Sequence, residues 1–273
     1  MLKNKIIGFI GAGSMAEAII GGLLTSEKIK PENIIITNRN NVERLHKLNE
    51  KWGIDITRDK FEVIEKSNVV ILAVKPQDIK GLLEEIGQYI KSSQVVVSVA
   101  AGISTSFIES FLTEKAAVVR SMPNTSCMIK ESATALCGGK WADREHIDIA
   151  KQIFSAVGRV VTVNEEDMDA VTGLSGSGPA YVYLMIEALI DAGVQAGLNK
   201  DVSKELAIQT VLGAAKMAAE SGEEPVVLRN KVTSPGGTTM AGLSVLNKLG
   251  FKDSLVKAVA AAKKRSKELG NEN

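Results

Sequence analysis

Gly11, Gly13 and Ala16 stand at Gly-x-Gly-x-x-Ala spacing directly after the apolar run Ile6-Ile7-Gly8-Phe9-Ile10. None of these residues is an acid, a base or a nucleophile, so the chemistry they can do is to hold an anion. Behind them comes an apolar ladder at helical spacing, Met15, Ile19 and Leu23 with Ile20 and Leu24 beside it, which makes the stretch strand, tight turn, helix. In that geometry Gly11 forms the turn, Gly13 lets the backbone approach a pyrophosphate, Ala16 permits close helix-on-strand packing, and the helix N-terminus faces the negative charge. The reading is dinucleotide binding; a merely tight turn is the alternative.

A second chemical position follows the next buried strand, Asn33-Ile34-Ile35-Ile36-Thr37, at Asn38-Arg39-Asn40-Asn41. An NAD site usually has Asp or Glu here for the ribose 2′-hydroxyl, whereas an Arg can pair with the 2′-phosphate of NADP. Here the acid is absent, Arg39 is present, and Thr37 and Asn38 can add hydrogen bonds. NADPH is therefore favoured over NADH, against the alternative of a solvated loop arginine.

Three further apolar runs supply strands: Ser67 to Val74, stopping at Lys75-Pro76; Val95 to Val99, followed by Ala100-Ala101-Gly102; and Ala116 to Arg120, followed by Met122-Pro123-Asn124. They alternate with helical patterns such as Val42 to Trp52, giving the rhythm of a doubly wound parallel sheet whose strand ends line a ligand crevice. The expected fold is α/β, a Rossmann-type domain over residues 1–163 and an all-helical domain over 164–273. The length of 273 residues accommodates both. With 33 Lys and Arg against 32 Asp and Glu, no bulk charge argues for nucleic acid or an anionic membrane. Cys127 and Cys137 show no C-x-x-C spacing, so no metal or disulfide framework is expected and a reducing cytoplasm suits the chain. No charge-free stretch of about 18 residues marks a membrane span.

From Asn164-Glu165-Glu166-Asp167 onward the texture is helical, with acids placed as a first-turn helix dipole favours. Pro179 to Ala196 is apolar almost all round, and Leu206 to Ala219 is rich in small residues. So short a domain can hardly bury every face of two such helices, so a homodimer is expected, a dense monomeric bundle being the alternative. Two glycine-rich islands precede helices, Gly173 to Ala180 with Ser175, and Val232 to Thr239 with Ser234, Gly237, Thr238 and Thr239. Each offers hydroxyls and backbone N–H groups to a carboxylate or phosphate, or serves only as a capped turn. A dinucleotide module joined to a helical domain points to hydride transfer. His46 and His146 both read as surface residues, and no lysine follows Gly178 by one turn, so a poised base for alcohol chemistry is missing. An iminium substrate needs less help, because its positive nitrogen itself draws the hydride.

These blocks together, most specifically Val232 to Gly242 with Leu243 and Leu246, resemble the pyrroline-5-carboxylate reductase family over nearly the whole chain. The resemblance implies reduction of a cyclic imine to L-proline, the final step of proline biosynthesis, by a Rossmann domain and a helical domain interlocked across a dimer, with rings of dimers in some members. It implies that Gly11, Gly13, Ser14 and Met15 hold the pyrophosphate, Asn38 and Arg39 the 2′-phosphate, and Ala73, Val74, Lys75, Pro76 and Ala100 the nicotinamide side. Ser175, Ser234, Gly237 and Thr238 fall to the substrate, and Thr239 to the ring nitrogen, whose proton it donates or orders. Lys60 stands near a position where family members often have an asparagine facing the adenosine phosphate. Competing readings are a β-hydroxyacid or other imine reductase, and a coenzyme-sensing binding protein that has kept the cleft.

Overall fold

The computed structural model describes Leu2 and residues 4–271, so residues 1, 3, 272 and 273 of the expected domains lie outside the described residues. The chain divides into two compact units, one of residues 1–177 with 260–273 and one of residues 178–259. The boundary expected at Val163 falls inside the first unit.

The first unit begins with β1 (Ile7–Ile10), α1 (Ser14–Thr25), β2 (Ile34–Thr37), α2 (Val42–Trp52), β3 (Asp55–Thr57) and α3 (Lys60–Lys66). It continues through β4 (Val69–Leu72), α4 (Pro76–Ile86), β5 (Val95–Ser98), α5 (Thr105–Glu109) and β6 (Ala117–Met122). Then come β7 (Ser132–Gly138), α6 (Arg144–Phe154), β8 (Gly158–Thr162) and α7 (Met168–Val171). The strands form one sheet in the order β3-β2-β1-β4-β5-β6-β7-β8. Every neighbouring pair is parallel except β6 and β7, where Val119 pairs with Gly138 and Met122 with Ala135 in antiparallel register. The reversal follows from the connection: residues 123–131 hold no full crossover helix, and a short link returns a strand antiparallel.

Alternation along each strand places two cores on the two faces. Ile7, Phe9, Ile34, Ile36, Val69, Ile71 and Val97 face α1, α2 and α6 through Ile19, Leu23, Leu45, Leu48, Ile153 and Phe154. Ile10, Ile35, Val70, Leu72 and Val96 face α3, α4 and α5 through Val63, Ile64, Ile79, Leu83 and Ile108. Residues on both faces are close to fully buried, which is why the strands read as continuous apolar runs. Cys127 and Cys137 are free and buried.

The sheet also buries a charge. Arg120 in β6 is 4% exposed, its Nη1 donates to Glu165 Oε1 at 2.5 Å, and its Nη2 lies 3.6 Å from Asp169 Oδ1. Glu165 Oε2 accepts from the Thr105 N–H and hydroxyl at 3.1 and 2.7 Å, and from the Cys137 thiol at 3.4 Å. Asp169 Oδ1 accepts from the Ser266 hydroxyl at 2.7 Å. Glu165 therefore does more than complement a helix dipole: it neutralises a buried guanidinium. Burial pulls its carboxyl upward, but the hydrogen bonds from Thr105 and Arg120 and the charge of Arg120 outweigh this and hold it below the usual carboxylate range. Burial, with the Glu165 charge beside it, pushes the Cys137 thiol up to about 12, so this sulfur is inert.

The second unit holds α8 (Gly178–Gln195), α9 (Lys200–Glu220), α10 (Pro225–Lys231), α11 (Thr238–Lys248) and the start of α12 (Phe251–Asn271), whose later residues belong to the first unit. The Ser203 hydroxyl of α9 donates to the Ile190 carbonyl of α8 at 2.7 Å and ties that pair. Apolar side chains remain outside: Tyr183, Leu184, Leu206, Leu212, Met217 and Val245 are all exposed in the single chain. Among the described residues no helix is long and apolar enough to cross a membrane.

Removing one partner of a buried ion pair strands the other charge, so Glu165→Gln should lower the unfolding free energy at pH 7 by about 3 kcal/mol. Because the folded pKa of Glu165 is depressed, its contribution is complete above the unfolded value of about 4.3 and fades as pH falls through the folded one. Urea titrations from pH 7 to pH 3 should thus show a gap between wild type and variant that narrows in acid; a constant gap would exclude the charge as its source.

Candidate functional site

The Gly-rich turn is built by strand crossing. Gly11 leaves β1 with φ +108°, and its N–H donates to the Thr37 carbonyl of β2 at 2.9 Å. A Cβ at Gly11 would lie 2.4 Å from the Ala73 carbonyl oxygen, so only glycine fits between the ends of β1 and β4. Gly13 is the opposite case: a Cβ there would meet nothing within 4 Å, so the backbone faces open space. Gly13 is also the N-cap of α1, and no side chain caps the helix, leaving the first-turn N–H groups to an outside acceptor. Arg44 of α2 braces the turn, its Nε donating to the Ala12 carbonyl at 3.1 Å while its guanidinium pairs with Glu17. The Glu17 carboxyl is held below its ordinary range by a hydrogen bond from Lys51, against burial, and further by Arg44.

This turn forms the floor of a cleft of about 860 Å³. Gly11, Gly13, Asn38, Arg39, Ala73, Val74 and Lys75 line it together, seven of the residues singled out from the sequence for the coenzyme. Ser14 opens α1 at its edge, Met15 packs against the core, Pro76 is the first residue of α4, and Ala100 is buried beyond β5, its N–H held by the Ser98 hydroxyl at 3.2 Å. Asn38 shapes the rim: its side-chain oxygen accepts from the N–H groups of Asn40 and Asn41 at 3.1 and 2.9 Å, which leaves its amide nitrogen as the end with donor chemistry. Arg39 is largely exposed, with Nη2 4.0 Å from Asp78 Oδ1.

Sequence reasoning left out much of the opposite wall. Arg58 and Asp59 follow β3, and Gln77, Asp78, Gly81, Leu82 and Glu85 form one face of α4. The signal for the second group was present: positions 78, 81, 82 and 85 repeat at helical spacing, offset from the buried positions Ile79, Leu83 and Ile86. The lining carries both signs, Arg39, Arg58, Lys60 and Lys75 with Asp59, Asp78 and Glu85, and pairs Arg39 with Asp78 and Lys60 with Glu85.

Elsewhere in the first unit, Ser175 sits in a π-helical turn, Thr172–Gly176, where the sequence suggested a helix break. Its hydroxyl donates to the Val171 carbonyl at 3.2 Å and its own carbonyl accepts from the Asn124 side chain at 3.0 Å, so the Met122-Pro123-Asn124 block anchors the island. A π-turn inside a helical run is a frequent mark of a functional position.

In the second unit, Ser234, Gly237, Thr238 and Thr239 come together at the start of α11. The Gly237 N–H donates to the Ser234 carbonyl at 3.0 Å, and a Cβ at Gly237 would stand 2.3 Å from the Ser234 hydroxyl. Gly237 thus makes room for that hydroxyl. The helix has no side-chain cap, so the N–H groups of Thr238 and Thr239 are first-turn donors without intrahelical partners. Ser234, Thr238 and Thr239 are exposed in the single chain. His146 completes a capping box with Asp143 and is spent on the start of α6, and His46 is exposed.

A doubly wound sheet whose first turn presents uncapped glycine backbone and cations to a strand-end cleft defines a dinucleotide-binding protein of the Rossmann class. Comparison with known proteins narrows this. A family model described as pyrroline-5-carboxylate reductase dimerisation matches residues 165–269, and one described as NADP oxidoreductase, coenzyme F420-dependent, matches residues 6–102. Pyrroline-5-carboxylate reductase 1 of Bacillus spizizenii is 46% identical, the alignment covering 100% of this chain and 92% of that protein. The solved pyrroline-5-carboxylate reductase of Coxiella burnetii superposes with a TM-score of 0.91 at 40% identity, covering 98% of this chain and 99% of that one. The Plasmodium falciparum pyrroline carboxylate reductase, solved with NADP bound, gives 0.88 at 32% identity, covering 99% and 100%. The chain belongs to the pyrroline-5-carboxylate reductase family.

Gly11→Ala should abolish dinucleotide binding, because the methyl group has no space beside Ala73 and φ +108° disfavours alanine. Gly13→Ala, in open space and at an allowed φ of −75°, should keep the fold and weaken binding by obstructing the anion's approach. Circular dichroism with coenzyme fluorescence titration separates the two outcomes.

Proposed function

We infer that this protein is an NADPH-dependent pyrroline-5-carboxylate reductase that yields L-proline, the last step of proline biosynthesis. The observation that carries this reading is the likeness to pyrroline-5-carboxylate reductases from end to end, which includes both the coenzyme module and the dimerisation segment. The cleft supports it: the residues present fit a dinucleotide, with α1 uncapped over Gly13, and Arg39 where an NAD enzyme would place an acid. When bound, the reduced nicotinamide supplies a hydride to the C=N carbon.

The protein's own residues bind and orient. Backbone donors at Gly13 and Ser14 hold the pyrophosphate, with Met15 packing beneath the turn, and Arg39 with Asn38 holds the 2′-phosphate. Ala73 to Pro76 and Ala100 line the nicotinamide side. The Ser234 hydroxyl and the N–H groups of Thr238 and Thr239 grip the substrate carboxylate, with Gly237 as the residue that lets the hydroxyl approach, and Ser175 presents its hydroxyl to the substrate. The Thr239 hydroxyl donates or orders the proton at the ring nitrogen. No strong base is needed, since the protonated imine is already electrophilic; this accounts for a family member whose histidines lie on the surface.

The exposed apolar side chains of α8, α9 and α11 are the dimer interface, with a ring of dimers as a further assembly, and the enzyme works in the cytoplasm. The domain division that suits this function runs near residue 163, between sheet and helical substrate domain.

Purified protein should oxidise NADPH, read as loss of absorbance at the nicotinamide band, when pyrroline-5-carboxylate is added; a folded, coenzyme-bound protein without turnover on this imine, but with turnover on other cyclic imines or hydroxy acids, would overturn the substrate. Thr239→Val should lower kcat while sparing NADPH affinity, and a binding protein would be indifferent to it. Arg39→Ala should raise the KM for NADPH by about tenfold, the worth of one charge-assisted phosphate contact, and leave that for NADH nearly unchanged. Light scattering should give at least twice the mass of one chain.

A further inference from the structure

The cations of the cleft are not idle. Lys60, the first residue of α3, forms an ion pair with Glu85 of α4, and both residues line the cleft with Asn38 and Arg39. Arg39 approaches Asp78, two helical turns before Glu85 on the same face of α4. Two cations of the cleft, Arg39 and Lys60, therefore each face a carboxylate of the one helix α4. The two members of the Lys60 pair differ in exposure: the Lys60 side chain is 25% exposed and the Glu85 side chain 55%. Glu85 can be rehydrated at small cost when the pair opens, whereas the Lys60 ammonium, also 5.4 Å over the Phe61 ring, is drawn to whatever anion the cleft offers.

We propose that Lys60 is a reserve ligand for the 2′-phosphate, held by Glu85 until a 2′-phosphorylated coenzyme enters, so that this exchange of partners helps to set the preference for NADPH over NADH. The proposal rests on the reading of the cleft as a dinucleotide site. A phosphate dianion outbids one carboxylate for an ammonium, through greater charge and more acceptor oxygens. The neutral 2′-hydroxyl of an unphosphorylated coenzyme gives Lys60 no such alternative, and the pair stays closed. Glu85 then acts as a competitor whose charge subtracts from 2′-phosphate affinity alone. Asp59 and Asp78 are the other carboxylates of this wall and keep their own roles: Asp59 caps α3 by accepting from the Phe61 N–H at 2.8 Å, and Asp78 faces Arg39.

Isothermal titration of the full-length protein with NADP⁺ and NAD⁺, at low ionic strength and without substrate, tests this by binding alone. Glu85→Gln should tighten NADP⁺ by about threefold, the scale of a half-exposed ion pair, and leave NAD⁺ unchanged. Lys60→Gln, which keeps the packed stem and removes the charge, should weaken NADP⁺ by about tenfold and NAD⁺ by less than a factor of about two. The double variant should match Lys60→Gln, because Glu85 acts only through Lys60. Equal changes for both coenzymes in Glu85→Gln, or a gain from Glu85→Gln that persists without Lys60, would overturn the exchange and leave the dinucleotide reading intact. Failure of the wild-type protein to bind either nucleotide would overturn both.

Discussion

The absence of a side chain at Gly11 is the constraint on which the coenzyme cleft depends. The Ala73 carbonyl at the end of β4 occupies the volume a Cβ would fill, and the turn takes a φ open to glycine at little cost. This contact brings the ends of β1 and β4 close enough for one helix N-terminus, that of α1, and one strand end, Ala73 to Lys75, to line a single crevice. Around it the protein adds braces that never face the cleft, chief among them the Arg44 contact to the Ala12 carbonyl. The position of an anion is thereby fixed by backbone, and the side chains at the rim are left to decide which anion it is.

What was legible in the sequence was whatever is local. The Gly-x-Gly turn, the buried runs and the cation at Arg39 each announce themselves within about a dozen residues, and the sheet over β1, β2, β4, β5 and β6 follows from them. β3, β7 and β8 were not legible: Asp55–Thr57, Ser132–Gly138 and Gly158–Thr162 hold at most two or three consecutive apolar residues among small, polar or exposed ones, and sheet neighbours define them as strands. Glu165 shows the same limit for charge. Its place at a helical start suggests a dipole effect, while its partner Arg120 lies 45 residues away on a strand that reads as plain hydrophobic core. The far wall of the cleft was hidden for a related reason, since Asp78 and Glu85 look like the solvated face of an amphipathic helix until the ends of β2 and β3 are set opposite them.

The two units meet the hydrophobic requirement in different ways. The first buries both faces of its sheet under its own helices and holds a buried guanidinium, Arg120, neutralised by Glu165 and Asp169. The second leaves large apolar side chains on α8, α9 and α11 in contact with water in the single chain. Its helices belong to a family named for dimerisation, and their small residues suit close approach by a second copy. The cleft of the Gly-rich turn and the start of α11 thus sit on units of unlike packing, one covered by its own helices and one with apolar faces left exposed in the single chain.

The last helix has a consequence for biosynthesis. Residues from 260 onward belong to the first unit, and the hydroxyl of Ser266 completes the hydrogen bonding of Asp169 beside Arg120. On the ribosome, where domains usually finish in order from the N-terminus, this one must wait: its buried guanidinium cluster is incomplete until Ser266, beyond the helical unit, has emerged. The helical unit is, in chain order, an insertion into the nucleotide unit, so maturation of the coenzyme domain is coupled to synthesis of the helical unit.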